Sequence, residues 1–195
     1  ETQPAPWWSL EDPPDDPPDN VTYLGRRRRT DDDEHERRAA VEARITEAAD
    51  GAARHPLLRL IGPVDLLGAT GTPPARAARQ CLEYCAWLLE NPGSTAQAMS
   101  RGLLVAEGTR RSNMSRLRTW LGSDADGEPY LPDAYSGRIR LDPVVSSDWH
   151  QLQLLVGDGV DRAPSSVLEL GLRLVRGAAL ADAAPVQWHW AEQLR

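Results

Sequence analysis

The sequence predicts an α+β fold, mainly helical, and three observations carry that prediction. Two short aliphatic runs, Leu57 to Ile61 and Val64 to Leu67, are split by Gly62-Pro63, which describes two strands around a turn. Three segments with apolar residues at helical spacing then follow, each bounded by a cap or a breaker. A pair of short arms punctuated by Gly, Asp and Pro closes the series, and amphipathic helical segments resume after it.

Taken in order, residues 1–30 read as a disordered acidic, Pro-rich tail. Asp12 to Asp19 runs D-P-P-D-D-P-P-D, where proline blocks helix and sheet while the acids repel one another. Trp7-Trp8 offers this tail an aromatic contact for a partner or for the folded domain. Arg26 to Arg29 is followed at once by the acids Asp31 to Glu34, which lie within a Debye length of the arginines and largely neutralise them. Residues 31–56 read as a helical linker: acids lead the first turn, Val41, Ile45 and Ala48 share a face, and Gly51 ends it.

Residues 57–141 read as one domain. After the two strands and the loop Gly68 to Pro74, Pro74 suits the first turn of a helix that runs through Ala75 to Glu90 and stops at Asn91-Pro92-Gly93. Ser94 or Thr95 caps a second helix, Ala96 to Leu104, with Met99, Leu103 and Leu104 inward. A third spans Arg110 to Leu121, with Met114, Leu117 and Leu121 at i, i+3 and i+7 and Gly122 as its end. Residues 126–131 and 136–141 read as the two strands of a hairpin. Strand, strand, helix, helix, helix, hairpin is the order of a winged helix-turn-helix with N-terminal short strands and a C-terminal β-hairpin wing. Residues 142–195 then carry amphipathic segments at Asp148 to Val156 and Ser165 to Arg176, and Trp188 and Trp190 beyond them, which describe the start of a helical-hairpin array.

Net charge is −7, but it is unevenly spread. Residues 57–141 hold ten arginines against eight acids, while the segments on either side are acidic, so the negative total, which on its own argues against a nucleic-acid partner, misleads for the middle. All 22 basic residues are arginine. No run of about 18 apolar residues is present, so no membrane insertion is expected of these residues. The chain begins at Glu1 without a signal-peptide pattern and is expected to be a piece of a longer protein.

Cys81 and Cys85 lie one helical turn apart, a poor geometry for a disulfide, and read as core residues in a reducing compartment. No metal or cofactor is expected: His35, His55, His150 and His189 fall in four separate segments. An enzyme is not expected either, since neither a G-x-S-x-G nor a P-loop string occurs, and Gly68 to Gly71 lacks the lysine of a phosphate cradle.

The third helix carries the functional chemistry. Setting aside Met114, Leu117 and Leu121 leaves Arg111, Ser112, Ser115, Arg118 and Thr119 on the other side, with Arg110 and Arg116 flanking. Arginine can grip guanine O6 and N7 with two hydrogen bonds, worth roughly 1–3 kcal/mol of discrimination, and serine or threonine can bond phosphate or base edges. Solubility alone also accounts for arginines on an exposed helix. Trp120 and Trp149 read as core plugs, and Trp188-His189-Trp190 as packing at the end of the helices or a partner-binding patch.

The strings T-R-R-S-N-M-S-R-L-R-T-W-L-G (Thr109 to Gly122), G-R-I-R-L (Gly137 to Leu141), S-D-W and L-V-R-G-A-A-L-A-D (Leu174 to Asp182) resemble the actinobacterial "bacterial transcriptional activator domain" family. In that family a winged helix of response-regulator type precedes a tetratricopeptide-like helical domain. The likeness is nearest to members that join membrane-spanning segments and a LysM module to such a region, and it covers about residues 57–195. It implies a DNA-binding transcription regulator in which Arg111, Ser112, Ser115, Arg116 and Thr119 face duplex DNA, and Arg138 or Arg140 touches phosphate from the wing. It also implies a cytoplasmic location, as part of a membrane-anchored protein for the LysM-linked members. The chain is less basic than a dedicated activator of this kind. A second reading is therefore a degenerate winged helix serving as a protein-protein interaction module in a membrane-linked scaffold, with the C-terminal helices or Trp7-Trp8 as its contact. The number of subunits is left open.

Overall fold

The computed structural model describes residues 35–36, 38–47, 53–134, 137–157, 159–184 and 187–194. The expected tail, with Trp7-Trp8, lies outside the described residues, as do residues 31–34, 37 and 48–52 of the expected linker. The chain divides into residues 1–37 and a compact unit from Arg38 onward. The compact unit is mixed α+β and mainly helical.

Helix α1 covers 38–47. Strands β1 (Leu57–Arg59) and β2 (Asp65–Leu67) form an antiparallel pair across the turn at Gly62, as the aliphatic runs predict. Helix α2 (Ala78–Glu90) begins later than predicted, because the chain bends through 75–77 and Ala77 takes a left-handed conformation (φ 64°). Asn91 ends it, its backbone and side-chain N–H groups both donating to the Trp87 carbonyl. Strand β3 (Ser94–Thr95) leads into α3 (Ala96–Gly102), whose first turn is capped by the Thr95 hydroxyl accepting the Ala98 N–H at 3.1 Å. Helix α4 (Glu107–Leu121) starts a turn earlier than predicted and stops at Gly122, where φ is +76°.

The expected hairpin is corrected. Strand β4 (Arg138–Ile139) forms, but it pairs with β3. Residues 128–131 supply no partner strand, and Asp142 N–H to Tyr130 O (2.9 Å) ties the two arms together. Pro129 and Pro132 account for this, since each removes a donor that a ladder would need. The sheet of β1 and β2 gains instead a parallel edge strand, β5 (Ser146–Ser147), giving the order β2–β1–β5.

Helices α5 (Asp148–Leu155) and α6 (Ser165–Leu174) follow. The boundary expected at 141/142 falls inside the compact unit. β5 extends the first sheet, Leu180 N–H donates to Leu60 O at 2.9 Å, and Leu180, Trp188 and Ala191 complete the main core. That core is walled by α2, whose Cys81, Tyr84, Cys85 and Leu88 meet Met99 of α3 and Met114, Leu117 and Leu121 of α4. A second cluster joins Ile45 of α1, Ile61, Leu155 of α5, and Val167 and Leu174 of α6.

Candidate nucleic-acid interface

Three elements fix α4 in place. Its inner face, Met114, Leu117, Trp120 and Leu121, is sunk in the main core, and Leu117 and Leu121 are fully enclosed. Each such side chain contributes roughly 1.5–3 kcal/mol through burial. Its C-terminal end is clamped by the loop before α2: Thr70 N–H donates to Leu121 O at 3.1 Å and Gly71 N–H to Trp120 O at 3.0 Å. The Thr70 hydroxyl also accepts from Ser123 N–H at 3.0 Å. These bonds occupy carbonyls that a helix end otherwise leaves open. A side-chain carbon at Gly71 would stand 1.8 Å from the Thr119 carbonyl oxygen, so the approach requires glycine. The sequence holds the signal for this clamp, a Gly/Thr loop suited to close backbone contact, but nothing in it names the carbonyls that the loop reaches.

The structure separates the predicted contact residues into two groups. Arg111, Ser112, Ser115, Arg116 and Thr119 are exposed along one side of α4. Arg116 donates to the Asn113 side-chain oxygen at 2.9 Å, and the Thr119 hydroxyl donates to the Ser115 carbonyl at 3.1 Å. Arg111 pairs with Glu107 one turn earlier, an ion pair that is solvent-exposed on both sides.

Arg110 and Arg118 turn elsewhere. Arg110 is only 8% exposed, and its Nε donates to Ser100 Oγ at 3.1 Å, so it bridges α3 and α4 instead of facing outward. Its stem fills the gap between the helices, which corrects its place among the contacts. Arg118 donates to the Leu131 carbonyl at 2.8 Å and pairs with Asp133 at 2.9 Å, fastening the arm after Tyr130 to the helix.

Arg138 and Arg140 are exposed on and beside β4. Arg138 donates to the Gly93 carbonyl at 3.2 Å, and the Arg140 guanidinium lies over Gly93, where a side-chain carbon would come within 3.0 Å of its Nε. Arg116, Arg138 and Arg140 have no ion pair among the described residues. Glu107 is the one acid in α4, at its N-terminal end, where the helix dipole favours it.

The two cysteines are buried and unpaired. Burial pushes the Cys81 thiol up to about 11 and the Cys85 thiol up to about 12, so neither is a nucleophile near neutral pH. Among the described residues no cluster of three or more His, Cys, Asp or Glu is placed to hold a metal, and no helix is long and apolar enough to cross a membrane. Comparisons with protein-family models, with curated proteins and with solved structures returned no match.

Proposed function

We propose that α2, α3 and α4 with the β3–β4 pair form a winged helix-turn-helix, and that the chain binds duplex DNA through the outer side of α4 as a regulator of transcription. One observation supports this most directly. Ser112, Ser115, Arg116 and Thr119 share the solvent side of α4 with no carboxylate among them, while the opposite side is rooted in the core. Fifteen residues give a rod of about 22 Å, long enough to lie along a major groove. Arg116 is the candidate for bidentate recognition of guanine. Ser112, Ser115 and Thr119 take phosphate or base edges, and Arg138 and Arg140 take flanking phosphate. The Arg111–Glu107 pair is worth at most about 1 kcal/mol at this exposure, so a phosphate competes with it readily.

Titration of a mixed-sequence duplex at several salt concentrations, read by fluorescence anisotropy, tests the proposal. Neutralising about four phosphates with Arg111, Arg116, Arg138 and Arg140 predicts a log–log salt slope between about −3 and −4. The combined variant Arg111→Ala, Arg116→Ala should flatten that slope. Equal binding by the variant and the native chain would refute the assignment.

A specific observation also supports the protein-interaction reading. Of the four arginines on α4, only Arg116 is free of both burial and a carboxylate partner among the described residues. Absence of duplex binding even at low salt would favour that reading.

A further inference from the structure

We propose that a second copy of this chain docks antiparallel on the outer side of α6, with Leu172 at the centre, Leu168 and Val175 beside it, and Glu169 of each copy facing Arg173 of the other.

The inner side of α6 is fully used. Val167 and Leu174 are buried against α1 and α5, and a side-chain carbon at Gly171 would come 3.1 Å from Leu152 Cδ1. The outer side is apolar as well. Leu168, Leu172 and Val175 follow at i, i+4 and i+7 and so form one stripe. Leu172 is 67% exposed and Val175 47% exposed, and Leu168 is half-buried. A helix apolar on two sides has two faces to cover, and the described residues cover one.

The charges beside the stripe select the occupant. Glu169 and Arg173 are exposed along the same border. They stand one turn apart, the spacing that favours an intrahelical pair, yet neither is ion-paired with any described residue. They also lie two residues on either side of Gly171. A two-fold axis beside Gly171 therefore brings Glu169 onto the partner's Arg173 and repeats the pair on the other side. A parallel two-fold pair would put the two charged borders on opposite edges of the interface, so that neither Glu169 nor Arg173 meets its counterpart. The two charges cancel, which leaves nothing to draw an anionic lipid surface or a nucleic acid to this face. One helix face is small beside the roughly 800 Å² per partner of a standard interface, so the dimer is weak and concentration-dependent.

Sedimentation velocity on the 195-residue chain, from about 1 to 200 µM and without DNA, reads this directly. The expected result is a shift from monomer mass towards dimer mass as concentration rises. Leu172→Glu should weaken association by about tenfold or more, whereas Leu154→Ser, which removes a leucine of equal exposure on α5, should leave it unchanged. Glu169→Arg alone and Arg173→Glu alone should each weaken it about five- to tenfold, because two pairs turn repulsive. The double exchange Glu169→Arg, Arg173→Glu should restore it. Circular dichroism melts identify any variant that fails to fold, and the double exchange decides in that case. A monomer at every concentration overturns the proposal, as does association lost with Leu154→Ser, retained with Leu172→Glu, or not restored by the double exchange. Because no DNA enters the measurement, failure here is separate from failure of the DNA-binding reading.

Discussion

Asp148 and Leu60 stand 88 residues apart, and the Leu60 amide donates to the buried Asp148 carboxylate at 2.7 Å. The second carboxylate oxygen takes the Ile61 N–H at 3.0 Å, so one side chain at the start of α5 satisfies the two amides that follow the end of β1. Asp148→Ala would leave both amides buried without acceptors, at about 1–3 kcal/mol each. A loss of about 2–5 kcal/mol is expected in urea denaturation, with the m-value unchanged.

The same carboxylate has a pH signature. Burial raises its pKa above the ordinary 3.8, although the Leu60 and Ile61 amides and Arg176 pull the other way. The folded chain therefore holds this proton more readily than the unfolded chain. Its contribution to stability is complete below the ordinary carboxylate value and is lost as pH rises through the raised one. Subtracting the stability–pH curve of Asp148→Asn from that of the native chain should give a difference that declines as pH climbs above about 4. A difference that grows with pH would contradict this.

Native Cys81 and Cys85 should resist a disulfide reagent at about pH 8, because burial holds both thiols protonated there. Both should react within the mixing time once guanidinium has unfolded the chain. Rapid native labelling of either would show that the wall of α2 opens far more often than the packing implies.

Gly71→Ala should cost at least about 3 kcal/mol or prevent folding, since its new carbon would overlap the Thr119 carbonyl oxygen. Gly108→Ala makes the matching control. Nothing lies within 4 Å of a side-chain carbon there, so the change should raise stability by up to about 1 kcal/mol through helix propensity. Differential scanning calorimetry separates the two outcomes.

Arg110 and Arg116 should behave oppositely in DNA binding. Arg110→Ala removes the bridge to Ser100 and should lower stability by about 1–2 kcal/mol while leaving the salt slope intact. Arg116→Ala should change stability by no more than about 0.5 kcal/mol and reduce the salt slope by about one phosphate's worth, close to 0.9. Equal slopes for the two variants would remove Arg116 from the interface.

The helices were legible because each carries its own punctuation. The 3.6-residue spacing of Met114, Leu117 and Leu121 with Gly122 behind them locates α4, and Asn91-Pro92-Gly93 locates the end of α2. Pairings between distant segments were not. β5 is two serines with no apolar alternation, and it becomes a strand because β1 offers an open edge beside it. β4 has the expected position and a different partner, since prolines spoil the nearer one. The candidate interface was half legible. Spacing sorts α4 into inner and outer sides, but arginine has a long stem and a charged tip, so spacing alone does not reveal that Arg110 bridges to α3 or that Arg118 reaches sideways to Asp133. Nor does any local signal announce left-handed Leu180 and Trp188, which only the packing around them holds in place.

The way residues 180–184 and 187–191 return to the core sets an order of events during synthesis. Trp188 N–H reaches the Glu83 carboxylate at 2.8 Å, and Ala181 N–H reaches the Gly62 carbonyl at 3.1 Å. A ribosome that has read only as far as Leu174 has joined the residues of α1 to α6 but not the latch that closes over them. Final closure thus waits on codons translated long after the strands it seals, and until then the nascent chain leaves an apolar seam open to chaperones.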